Sequence, residues 1–357
     1  MESNQDCFAR YIQILQEELR PAMGCTEPIA IAYAAAKARD VLGCLPDRML
    51  VEVSGNIIKN VKSVIIPHTG GLRGIAAAAA VGAVAGDAAA ELAVISQVTP
   101  KEVAETAQYL QKTPIDVHCA ENGHIFDIAV TAWQGENNAY VRIADYHTNI
   151  VSIHRNGETL LEKTAETQEN GLTDRRCLSV EGIVEFADHV ELDAVKPTLE
   201  RQIECNMAIA AEGLRGNYGA NIGKTLLKNH EDSIDYKMRA WAAAGSDARM
   251  NGCELPVVIN SGSGNQGITA SVPVIVYARE NENSHEELLR ALCVSNLVTI
   301  HLKTGIGRLS AYCGAVSAGV GAGAGIAYLK GGGFEQIAHT VVNAVAVTSG
   351  IICDGAK

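Results

Sequence analysis

"AYCGAVSAGVGAGAGIAYL", residues 311–329, carries no charge over nineteen positions and is built largely of glycine and alanine. Two folds compete for such a stretch: a membrane span, or a helix buried in a water-soluble core. Its length and lack of charge suit a span, and its small residues resemble a helix-packing face. Glycine and alanine drive insertion poorly, however, and no other part of the chain looks membranous. The stretch therefore reads as a buried helix of a soluble protein.

The composition around it agrees. Of the 357 residues, 47% are hydrophobic but only 4% aromatic, so the core is expected to be small side chains on closely packed helices. The length allows a large core and suggests two domains. From about Ser179 long helical patterns dominate, such as "VKPTLERQIECNMAIAAEGL" (195–214) and "SHEELLRALCVSNLVTIHL" (284–302). The first half is mixed. "RMLVEVSG" (48–55) and "NVKSVIIP" (60–67) read as strands, and "RGIAAAAAVGAVAG" (73–86) as a helix. "TPKEVAETAQYLQK" (99–112) carries a Thr-Pro helix start. Four strand-like runs follow at 115–120, 124–133, 138–146 and 149–154, the last closed by the turn pair Asn156-Gly157. The polar segment 162–176 is the expected boundary. The expectation is an α/β (α+β) N-terminal domain, residues 1–170, packed on an all-helical, Gly/Ala-rich C-terminal domain, residues 171–357.

The net charge of −12 argues against nucleic acid or an anionic membrane as partner. The polar start "MESNQDC" shows no secretory signal. Ten cysteines without close pairs then read as reduced thiols of a cytoplasmic protein rather than a disulfide framework.

Several segments carry chemistry. In "MGCTEPIA" (23–30), Pro21 and Gly24 end a helix whose apolar positions are Phe8, Tyr11, Ile12, Leu15 and Leu19. Thr26 or Glu27 can cap the next helix, and Pro28 suits its first turn. Cys25 then lies just outside a helix N-terminus, where the dipole favours a thiolate able to act as nucleophile, base or metal ligand. The competing reading is a small hydrophobe buried in a turn. "INSGSGNQGITASV" (259–272) spaces Gly262, Gly264 and Gly267 as in dinucleotide sites, but a second helix follows where a parallel strand is required. It reads better as a loop of N–H groups, with Asn260, Ser261, Ser263 and Asn265, for a small carboxylate. "PHTGG" (67–71) offers a second such loop, with His68 placed for proton transfer and Asn56 of "VEVSGN" as a further polar group. Cys313 and Cys353 are each flanked by glycine and stand 40 residues apart, which fits neither a zinc knuckle nor a generic ferredoxin run.

Taken together, "GCTEP", "SGNIIKN", "PHTGG", "NSGSGNQG", "GRLSAYCGAVSAGVGAGAG" and "GIICDG" resemble the iron–sulfur L-serine dehydratase superfamily, in its single-chain L-cysteine desulfidase branch. The resemblance implies a [4Fe-4S] cluster on three cysteines, one iron being open as a Lewis acid toward L-cysteine. The products implied are pyruvate, ammonia and hydrogen sulfide, without pyridoxal phosphate. Ligand roles fall on Cys313, Cys353 and Cys25, and catalytic roles on His68 and Cys25. Substrate contacts fall on Thr26, Glu27, Asn56 and Thr69, and on the loop residues Asn260, Ser261, Gly262, Ser263, Gly264 and Asn265. Relatives of this kind continue past "CDGAK" to another cysteine and a final helical segment, so the chain is expected to be truncated there. A third ligand from that region would leave Cys25 as acid, base or substrate contact. The sulfurs of Cys313 and Cys353 are expected within roughly 7 Å, the reach of one cubane cluster, and the two glycine loops are expected to face one cleft.

Rival readings are an L-serine dehydratase, a non-catalytic cluster-binding or thiol-sensing protein, and an NAD-dependent oxidoreductase. The expected partner is the small-molecule substrate, with no nucleic acid and no membrane, and a homodimer is compatible with the sequence. Cys293 reads as core packing, as do Cys7, Cys44, Cys119, Cys177, Cys205 and Cys253. Lys303 and Arg308 read either as partners of a substrate carboxylate or as surface charges.

Overall fold

The structure, a computed structural model, describes residues 4–24, 26–163, 172–307 and 312–351. It opens with helix α1 (Asn4–Glu18) and the short strand β1 (Pro21–Met23). The apolar positions Tyr11, Ile14, Leu15 and Leu19 of this opening segment join one buried cluster with Ile183, Phe186 and Leu199. Tyr11 also donates its hydroxyl proton to the Cys177 carbonyl at 2.9 Å. The chain accordingly divides into two units: Met1–Ala22 belongs with Gly171–Cys353, and Met23–Asn170 forms the other. The expected domain of residues 1–170 therefore loses its first helix, because the apolar stripe of α1 is buried against helices that come 160 residues later.

The unit that begins at Met23 is built on a sheet. Its elements are α2 (Thr26–Leu42), β2 (Arg48–Val53), α3 (Gly55–Val61), α4 (Gly74–Ala85), α5 (Pro100–Lys112), β3 (Ile115–Cys119), β4 (Asp127–Gln134), β5 (Asn137–Ala144), β6 (Ile150–Arg155) and β7 (Glu158–Glu162). The strands lie in the order β3-β2-β4-β5-β6-β7. The β2–β3 pair is parallel and every other pair is antiparallel. Val51, Val130 and Val141 stand in register and are fully buried. Helix α2, buried along most of its length, covers β4 and β5 and packs on α4. Helix α5 starts on the expected Thr-Pro signal: Thr99 and Glu102 form a reciprocal capping box.

Two local expectations fail here. Residues 60–67 are no strand: α3 runs through Val61, and Ile65 makes only an isolated bridge to Arg73. Ile57 and Val61 lie one helical turn apart and are both buried, so helical spacing wins over β-branched composition. Strand β7 was not foreseen, because its residues are mostly exposed and lack an apolar alternation. It exists as the return arm of a hairpin whose turn, Asn156-Gly157, takes positive φ at both positions, 49° and 84°.

The other unit is helical: α6 (Val180–His189), α7 (Lys196–Arg215), α8 (Ile222–Leu227), α9 (Ile234–Met250), the short β8 (Pro256–Val258), α10 (Gly264–Glu280), α11 (His285–Ile306), α12 (Gly314–Leu329) and α13 (Phe334–Thr348). The stretch quoted at the outset supplies α12, which packs along α11 and α10. Its small residues set the approach: a Cβ on Gly321 would lie 2.1 Å from Thr299 Oγ1 and 2.4 Å from the Ser295 carbonyl oxygen. Among the described residues no helix is long and apolar enough to cross a membrane.

The cysteines divide by position. Cys253 and Cys293 are buried, and burial pushes the Cys293 thiol up to about 12. Cys7, Cys177 and Cys205 are half-buried. Cys44 and Cys119 are exposed, contrary to expectation, since one sits in the loop after α2 and the other ends an edge strand whose side chains face solvent.

Candidate functional site

The carboxylate loop expected at 259–267 forms the entry to α10. Asn260 and Ser263 exchange backbone hydrogen bonds at 3.1 Å, and Ser261 (φ 49°) and Gly262 (φ 81°) make the reversal between them. The first intrahelical bond is Gly267 N–H to the Ser263 carbonyl, and no side chain caps the helix. The N–H groups of Gly264, Asn265 and Gln266 therefore precede the ladder at the positive end of a 17-residue helix.

What holds this loop still is buried polar chemistry. The Asn260 amide donates to the side-chain and backbone oxygens of Asn296 at 2.9 and 3.3 Å, and its own oxygen accepts from Ser261 Oγ at 2.9 Å. Asn296 and Gln202 bond each other in both directions, at 3.0 and 2.8 Å. Asn206 fastens Val258 N–H and Ser271. Asn260 and Ser261 are thus fully committed inside the protein, whereas Gly262, Ser263 and Asn265 are partly exposed and Gly264 is buried.

Two side chains that the sequence reading passed over close on the same helix start. Arg249, the penultimate residue of α9, lies so near Gly264 that a Cβ there would stand 2.2 Å from its Nε. It donates to Asn265 Oδ1 at 3.1 Å and is only 3% exposed. Gln266 is 6% exposed, and a Cβ on Gly314 would lie 2.4 Å from its Nε2. Gly314 is the first residue of α12 and follows Cys313, so the starts of α10 and α12 meet at this amide. Like α10, α12 has no side-chain cap. Arg249 stands in "DARMNG" at the end of α9, but no spacing rule connects it to a loop fifteen residues on.

Cys313 lines a cavity of about 280 Å³. Leu302, Ile306, Val316 and Ile351 give this cavity an apolar wall. Cys313 N–H donates to the Ile351 carbonyl at 3.4 Å, two residues short of Cys353. Lys303 is 4% exposed and engages other groups, so it is no surface charge. Cys25, Arg308 and Cys353 lie outside the described residues.

In the sheet unit, "GCTEP" and "PHTGG" come together. Gly24 takes φ +60°, and a Cβ on it would lie 2.3 Å from Pro67 Cγ. Gly24 and Pro67 are therefore held directly against each other. Thr26 and Glu27 are the first two residues of α2 rather than its cap. Glu27 accepts from Asn60 of α3 at 3.1 Å and from Thr26 at 3.3 Å. His68 is half-buried with φ 58°, an uncommon backbone state for a non-glycine residue. Thr69 gives its hydroxyl proton to the Ile66 carbonyl at 2.7 Å, and Asn56 reaches the Ile125 carbonyl at 3.5 Å.

Residues 89–357 match the serine dehydratase alpha chain family. The chain belongs to that family. It is 56% identical over 358 residues to a UPF0597 protein of Desulfitobacterium hafniense (strain Y51), covering all of this chain and 83% of the relative. UPF0597 proteins of Treponema denticola and Lachnoclostridium phytofermentans are 49% and 51% identical, covering 100% and 98% of this chain and 84% of each relative.

The family is typically iron–sulfur associated. Among the described residues no three His, Cys, Asp or Glu side chains gather as a metal site. The surroundings of Cys313 nonetheless fit a cluster. Its sulfur stands at an uncapped helix start, which suits the negative charge of a thiolate-bound cluster. The adjoining cavity is lined mainly by apolar side chains, which suits the soft, weakly hydrated sulfurs of such a group.

Proposed function

We propose that the protein is a β-eliminating lyase that converts L-cysteine and water to pyruvate, ammonia and hydrogen sulfide. The reading is supported chiefly by the meeting of two uncapped helix starts, at Gly264 and Gly314, beside Arg249 and Cys313. Cys313, Cys353 and Cys25 would hold a [4Fe-4S] cluster, which supplies Lewis acidity toward the leaving sulfur when bound.

The chain's own residues do the rest. The partly exposed segment Gly262–Asn265 and the leading N–H groups of α10 orient the substrate carboxylate. The buried Asn260–Asn296–Gln202 network keeps that segment from yielding when substrate binds. The motif resemblance assigns the α-proton to His68, a histidine being the side chain best matched to proton transfer near neutral pH. Leu302, Ile306 and Val316 give the space beside Cys313 an apolar lining against which the substrate's sulfur-bearing carbon can rest.

The family description favours a second reading, an L-serine dehydratase in which hydroxide leaves instead of hydrosulfide. Anaerobically reconstituted protein given each amino acid separates the two. Sulfide and pyruvate in equal amounts from L-cysteine, with little pyruvate from L-serine, are the expected result. Pyruvate from L-serine alone would establish the second reading, and pyruvate from neither would sink both.

A further inference from the structure

We propose that Arg249 is the charged anchor of a small-carboxylate site at the start of α10, pairing with the carboxylate of the substrate.

The argument starts from a cost. A guanidinium taken out of water is expensive unless a negative charge meets it, and fully buried arginines are almost always paired. Arg249 is 3% exposed, yet among the described residues no carboxylate pairs with it. Its two hydrogen bonds both leave from Nη1, to Asn265 Oδ1 and to the Met250 sulfur, and both acceptors are neutral. Its Nε has no acceptor at all. The fold also makes room for it deliberately: only glycine at 264 allows the α10 backbone to lie against the guanidinium.

A second observation points the same way. Gln266, in the first turn of α10, is 6% exposed and its Oε1 has no partner. A buried cation and a buried amide, each with an unmet polar atom, therefore flank one helix start whose own N–H groups are uncapped. A partner with two acceptor oxygens and a single negative charge answers Arg249 and those N–H groups together, and a planar carboxylate matches the guanidinium fork. A donor on the same molecule, such as an α-ammonium, answers Gln266. The Asn265 bond fixes the side chain, so the site is rigid before anything binds.

The identity of the acid as an amino acid rests on the lyase reading, but the carboxylate site does not, and the test keeps them apart. Thermal shift and calorimetric titration of the full chain would use 3-mercaptopropionate, which is cysteine without its amino group, and cysteamine, which is cysteine without its carboxyl. Pyruvate and inorganic phosphate complete the set. Saturable stabilisation by 3-mercaptopropionate and pyruvate, and none by cysteamine, is expected. Arg249→Gln should weaken the carboxylates by about 10²-fold, and Arg249→Lys, which restores charge without the fork, by less. Equal binding of cysteamine and 3-mercaptopropionate would overturn the proposal, as would phosphate binding in place of the carboxylates. Should Arg249→Gln fail to fold, the wild-type analogue comparison and Arg249→Lys still decide. Carboxylate binding lost with Arg249, in a protein that releases no sulfide from L-cysteine, would sink the lyase reading and leave the anchor standing.

Discussion

Asn296 holds three elements at once. Its oxygen accepts from Gln202 of α7 and from Asn260 of the glycine loop, while its amide donates to Gln202 and to the Leu292 carbonyl of its own helix. Asn296→Leu keeps the same branched shape but strands two buried amides, each at a cost of about 1–3 kcal/mol. Denaturant unfolding should show a loss of that size, and the same variant should raise the KM for substrate as the loop loosens. Cys25 makes a different demand. If it is a ligand, Cys25→Ser should lower iron content, brown absorbance and turnover together. If it moves a proton, iron content should stay and turnover alone should fall, by about 10² or more. Full iron content with unchanged turnover would return Cys25 to a packing role.

At the scale of elements, α12 is an internal control for its own packing. Gly321 faces Thr299 and the Ser295 carbonyl of α11 at distances no side chain tolerates, whereas a Cβ on Gly319 would meet nothing within 4 Å. Gly321→Ala should therefore destabilise by about 1–3 kcal/mol through overpacking. Gly319→Ala should stabilise by up to about 1 kcal/mol, because alanine is the better helix former. Melting curves of the two variants check both signs. Helices of this kind were legible in the sequence because their periods, caps and small-residue faces are local: α5, α7, α11 and α12 all stand where periodicity put them. The segment 60–67 was misread because β-branched residues suit both a strand and the buried side of a short helix. At the site, the glycine loop could be read from its run of glycines and small polar residues. Arg249 and Gln266 could not, because what makes them notable is burial without a partner, and burial is a property of the assembled fold.

On the scale of the whole molecule, the first helix is fastened to the segment that follows the sheet unit by charge as well as by apolar packing. Glu17 accepts from Thr173 N–H and Oγ1, and Arg175 pairs with Glu17 and Glu18 at 2.7 and 2.8 Å. Burial pushes the Glu17 carboxyl up, but the bonds from Thr173 and Arg175 outweigh it and hold it below its ordinary 4.5. A carboxyl with a depressed folded value contributes stability above its unfolded value and loses it as pH falls through the folded one. The melting temperature should therefore drop as pH is lowered below about 4.5, and Glu17→Gln should flatten that part of the profile while lowering the plateau above it. The same connection sets an order of events during synthesis. Helix α1 leaves the ribosome before the sheet unit, yet the carbonyl that receives the Tyr11 hydroxyl is 166 residues behind it. The sheet unit can close while α1 still waits with its apolar stripe uncovered, so α1 stays open to proteases and chaperones until the helices that bury it are made. Protease digestion of a ribosome-arrested chain whose sheet unit has just emerged should cut within α1 and spare the sheet.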